Sequence, residues 1–170
     1  MKNKELIDAV RNRNLGMVEA LITKGYPLEE RDHRGSTALR IAAGSEQYVI
    51  AEKLVEAGAD IYTMDSLHIT AAGAIYKSNL IAGNPDGNAR QRLLELMREL
   101  EVPEPVPSRK EMPLALKNGG WPAHATPPPL NYGAHNLLPI KLLILNRILA
   151  YHPRRNDKCI QNQLLRLATH

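Results

Sequence analysis

The sequence predicts an all-α fold, a stack of about three helix-turn-helix units followed by a proline-rich C-terminal extension. Three observations predict it. A block returns at one constant offset: Leu21-Ile22 followed by Gly25 comes back as Leu54-Val55 followed by Gly58, and Asp32 comes back as Asp65. Self-similarity at a period of roughly 20 to 50 residues marks units whose apolar faces are buried only by their neighbours. Apolar residues also recur at helical spacing, as in Ile50, Ala51, Leu54 and Val55. Finally, the chain has no Phe, one Trp and six Tyr, so its core rests on Leu, Ile, Val and Ala, which lets thin helices approach closely.

The second unit, residues 32–64, is the clearest. Asp32 to Gly35 has turn chemistry, and Thr37 suits a helix start, where its side chain accepts a backbone N–H. Leu39, Ile41, Ala42 and Ala43 make a short first helix, Gly44-Ser45 breaks it, and the stripe from Ile50 to Val55 makes the second. Gly58 stands where a helix ends in a left-handed residue, which costs least for Gly. The pattern resembles the ankyrin repeat: Gly35, Thr37, Leu39, Ala42, Ala43, Leu54, Gly58, Ala59 and Asp60 match it in register. It departs at Ala38, where that family carries Pro, and at Arg40, where it carries His. The resemblance implies an ankyrin-repeat solenoid over residues 1–102.

One offset earlier, Leu6, Ala9 and Val10 fall on a first helix and Met17, Val18, Leu21, Ile22 and Gly25 on its partner, a capping repeat at about 2–31 with a charged outer face. One offset later comes a third unit, 65–102, that opens with Asp65 and Thr70-Ala71-Ala72. Its second helix arrives late. Leu96 is the expected counterpart of Leu54, which implies about nine inserted residues in a loop at 77–87, with Asn84-Pro85-Asp86-Gly87 as a turn and Asn88 opening the helix.

Ten of the twelve prolines lie from Pro103 onward. Residues 103–122 read as a capping segment with a short helix. Ser108 and Glu111 form a capping box for it, Gly119-Gly120 closes it, and Trp121-Pro122 is expected to fold back on the last repeat's exposed face. This segment resembles the C-terminal trailer of small proteobacterial ankyrin proteins. Residues 123–170 read as a linker through 135 and a basic tail, with helical stretches at 136–151 and 158–168.

Charge is uneven: residues 1–100 hold 13 Lys/Arg against 14 Asp/Glu, and residues 101–170 hold 9 against 4. Arg147, Arg154, Arg155 and Lys158 cluster without a recognition-helix motif or stacking aromatics, which argues against nucleic acid. The apolar run at 137–151 is shorter than the ~20 residues of a bilayer span and contains two cations, which argues against a membrane. The N-terminus enters an amphipathic pattern at once, without the apolar core of a secretory signal, so cytoplasmic residence is expected.

No catalytic, cofactor or metal site is expected. The histidines 33, 68, 124, 135, 152 and 170 lack the spacing that puts two imidazoles on one metal, and Cys159 is the only cysteine. Asp86 and Glu95 read as turn and solvated-face residues, not as an acid and base.

In ankyrin stacks the turn tips and the inner face of the first helices form a concave binding surface. Carried onto this chain, the positions are Arg31, His33, Arg34 and Ser36 on one tip and Met64, Ser66, Leu67 and Ile69 on the next. Leu67 and Ile69 read in two ways: as an interface centre with an arginine rim, or as packing beneath the inserted loop. Glu29, Glu30 and Asp32 partly neutralise the rim. The expected function is non-catalytic protein–protein interaction by a monomer, as adaptor or regulatory subunit. The resemblance also implies an alternative, an immunity protein neutralising a bacterial toxin. A rival of a different class places an enzyme, or a membrane or nucleic-acid binder, in the C-terminal tail.

Overall fold

The structure, a computed structural model, describes residues 4–128. The expected linker from 129 on, the helices at 136–151 and 158–168, Cys159 and the basic cluster lie outside those residues. The described part is all-α, with no strand and seven helices: α1 (Glu5–Arg11), α2 (Leu15–Thr23), α3 (Ala38–Gly44), α4 (Tyr48–Glu56), α5 (Ala71–Lys77), α6 (Pro85–Glu99) and α7 (Met112–Lys117). Both bounds of α1 return at the offset of the sequence repeat in α3 and again in α5, and those of α2 return in α4. Sequence neighbours pair, α1 on α2, α3 on α4 and α5 on α6. Like helices also touch, α1 on α3 and α3 on α5, and α2 on α4 and α4 on α6.

Local chemistry sets these ends. Thr37 and Thr70, at equivalent positions of successive units, each accept an N–H of the first turn, from Arg40 at 3.2 Å and Gly73 at 2.9 Å. Gly25 and Gly58 end α2 and α4 at φ +73° and +98°, where the next N–H reaches back to Leu21 O at 3.0 Å and Leu54 O at 2.9 Å. The same bond after α6 runs from Val102 N to Met97 O at 2.9 Å, with Glu101 in the left-handed position at φ +54°.

That bond corrects the register of the third pair. Met97, fully buried, takes the place of Leu54, and Leu96 is only half-buried. Ten residues are therefore extra, four in the loop 78–84 and six in α6 itself. Asn84 is the cap of α6, its Oδ1 accepting Gly87 N at 2.8 Å, and Pro85 occupies the first turn, where a missing N–H costs nothing. The run expected as a turn is thus the helix start, and Asn88 lies inside the helix, with its Oδ1 accepting Gly83 N at 3.0 Å. Gly87 permits the loop to close, because a Cβ there would collide with the Ile81 carbonyl.

Two side chains tie α6 to its surroundings. Buried Arg90 donates to Ile75 O (2.9 Å), Leu80 O (3.0 Å) and Tyr76 O (3.3 Å), so a cation ends α5 and holds the loop. Asp86 accepts Val49 N at 2.9 Å, supplying the cap that Gln47 does not give α4. After α6 the chain forms a strap. Val102, Val106, Met112, Trp121 and Ala125 enter the core. Glu111 accepts Ser108 N at 2.8 Å, the side-chain half of the expected capping box, and Gly119 closes α7 at φ +73°. Trp121 folds back, but its ring meets Tyr62, in the turn between α4 and α5, edge-on at 5.4 Å.

Candidate partner-binding surface

The turns before α3 and α5 are built alike. Asp32 Oδ1 accepts Arg34 N at 2.8 Å and Ser36 N at 2.9 Å; at the sequence offset, Asp65 Oδ1 accepts Leu67 N at 2.9 Å and Ile69 N at 3.0 Å. Gly35 (φ +74°) and His68 (φ +60°) take the left-handed position. The other oxygen of each carboxylate meets an arginine: Arg11 on Asp32 at 2.7 Å and Arg40 on Asp65 at 3.2 Å. These donors stand in different registers. Gly44 holds the place of Arg11 in α3, and a Cβ on it would collide with the Arg40 guanidinium, which reaches Asp65 from one turn earlier.

The two turns are joined edge to edge. Ser66 donates to Arg34 O through both its N–H (3.1 Å) and its hydroxyl (2.7 Å), and Arg31 Nη1 donates to Gly35 O and Met64 O, both at 2.7 Å. Both oxygens of Asp32 and of Asp65 are thus engaged, one by backbone N–H groups and the other by a guanidinium. Among the described residues no group of three His, Cys, Asp or Glu stands ready for a metal, and no helix is long and apolar enough to cross a membrane.

The eight candidate residues separate on this geometry. His33 and Arg34 are exposed, and Leu67 is 37% exposed. Arg31, Ser66 and Ile69 are half-buried, the first two committed to backbone carbonyls. Met64 and Ser36 need correction as surface positions. Met64 is 1% exposed because it pairs across the turn with Thr70 and sends its side chain into the core. Ser36 is buried where the chain turns inward to Thr37. Packing of Leu67 and Ile69 beneath the inserted loop is also corrected, because that loop joins the far end of α5, where Ser78 meets Glu46 at 2.7 Å.

Sequence reasoning missed the strap's part in this surface. His124 Nε2 lies 3.0 Å from Asp60 Oδ2, Ala125 is buried, and Pro128 covers Gly35. The linker expected from residue 123 is therefore packed through 128. Nearby, the Glu29 carboxyl accepts Asp60 N at 2.9 Å and is held above its ordinary pKa, first by desolvation and then by the Asp60 charge. No protein-family model matches the chain, and no curated protein sequence matches it.

Proposed function

We propose that residues 4–102 are three ankyrin-type repeats stacked as a short solenoid, and that the protein is a non-catalytic binding module, an adaptor or regulatory subunit. The constant offset between helix bounds, the like-with-like helix contacts and the twin Asp32 and Asp65 turns support the stack. One observation carries the function. His33, Arg34 and Leu67 stand exposed on turns whose backbones are held by other residues, so their side chains have no part in holding the turns. An apolar side chain beside a guanidinium is the composition of an interface centre and rim.

The test is capture from the native host with the wild-type chain and an Arg34→Ala/Leu67→Ser variant side by side, after circular dichroism shows equal folding. The wild type should retain a discrete partner and the variant should lose it. Equal capture by both would refute the assignment of this surface.

A further inference from the structure

On that same surface, we infer that the end of the strap beyond Ala125, residues 126–128, is a releasable self-ligand seated on the seam between the turn tips, which a partner spanning both tips must displace. The strap is held unequally along its length. Trp121 is 2% exposed and donates its Nε1–H to Tyr62 O at 3.1 Å, so this end is anchored in the core. Ala125 is the last deeply buried residue, at 1%. Beyond it the grip changes in kind. Among the described residues, Thr126, Pro127 and Pro128 make no hydrogen bond to the turns, and proline has no N–H with which to make one.

Among the described residues, surface contact holds the end, with one side-chain contact, His124 to Asp60, just before it. The His124–Asp60 pair is 47% and 27% exposed, a setting in which such pairs contribute little. Pro127 and Pro128 are half-buried, and Pro128 lies where a Gly35 side chain would be. Gly35 is buried although it stands at the tip of its turn, with Ser66 N 3.3 Å and Pro128 Cβ 3.4 Å from its Cβ position. The segment therefore covers the seam where Arg34 O meets Ser66, between the exposed side chains assigned to the partner. An occupant in cis acts at high effective concentration, so weak contacts suffice to seat it and a stronger ligand suffices to displace it.

The inference rests on the binding reading above, but its test does not need the partner. In the full chain carrying Cys159→Ser, Gly35→Cys and Pro128→Cys bring two Cβ atoms to 3.4 Å, at the short edge of disulfide spacing. The bridge should form in air. After reduction the thiol at 35, buried beneath the strap, should react with maleimide under native conditions roughly 10- to 1000-fold slower than in urea, because local opening exposes it. Should Gly35→Cys, at its positive φ, unfold its turn, Pro128→Cys alone, half-buried when seated, should still label more slowly than in urea, with a smaller ratio. Labelling as fast as in urea would show that the end never seats. Labelling only at the rate of global unfolding would show that it never leaves. A captured partner that depends on Arg34 and Leu67 but binds the bridged and reduced forms equally would overturn the self-ligand and leave the binding surface standing.

Discussion

Arg90 offers the sharpest test of how the third helix pair is held. Arg90→Met keeps the aliphatic stem against the core and removes a guanidinium that serves three carbonyls. A hydrogen bond to a charged group contributes roughly 1.5–3 kcal/mol, most where water cannot replace it. Only the Ile75 bond is fully buried, whereas the Leu80 and Tyr76 bonds are partly open to solvent. One full contribution and two reduced ones give a loss of about 3 kcal/mol. Urea unfolding followed by circular dichroism should show that loss with an unchanged denaturant slope. Arg90→Lys should lose nearly as much, since an ammonium cannot span the three acceptors in the same geometry. Amide exchange in 78–84 should quicken in both variants. A loss under about 1 kcal/mol for Arg90→Met would refute the clamp and make the buried cation incidental.

Further predictions test single joints of the fold. Asp86→Ala should cost about 1 kcal/mol, the usual value of a helix cap, and should speed exchange at Val49 although the mutation lies on another helix. Glu101→Gly should stabilise the chain by roughly 0.5–1 kcal/mol in the same urea assay, because Glu101 occupies the left-handed position that Gly fills after α2 and α4. Glu52 accepts from Arg92, at 2.8 Å for Nη2, and that hydrogen bond holds its carboxyl below the ordinary range. A lowered folded-state pKa stabilises above the unfolded value, and the contribution is lost as pH falls through the folded one. Glu52→Gln should thus be less stable than wild type at neutral pH, with the gap closing under acid; a gap unchanged by pH would refute the pair's role.

The helix pairs were legible because their signals are local. Thr37, Thr70, Gly25 and Gly58 act through backbone within a turn of themselves, so their spacing carries over to the structure. The third pair was harder to read for a physical reason. Leu93, Leu96, Met97 and Leu100 share one stripe of the helix, and a helix can absorb any number of extra residues, so pattern alone does not distinguish Leu96 from Met97. Asp86 looked like a turn residue because its acceptor role depends on Val49, 37 positions away. The strap's seat depends likewise on pairs such as Trp121 with Tyr62, 59 positions apart, which no local pattern encodes.

The turn surface was half legible, and the division has a cause. Asp32 and Asp65 were visible as turn formers, but their pairing with Arg11 and Arg40 commits those two cations to the turns. Arg31 is spent on two carbonyls, leaving Arg34 as the exposed arginine of the tip, with His33 beside it. Exposure of Leu67 alone would mean little, since single surface leucines are common. Its weight comes from register: Leu67 holds the place of Arg34 at the sequence offset, on a turn of the same construction, and Ser66 binds Arg34 O. A substitution at 34 or 67 therefore leaves the Asp-centred hydrogen bonds in place. Loss of binding without loss of stability is the signature that separates a recognition surface from a folding one.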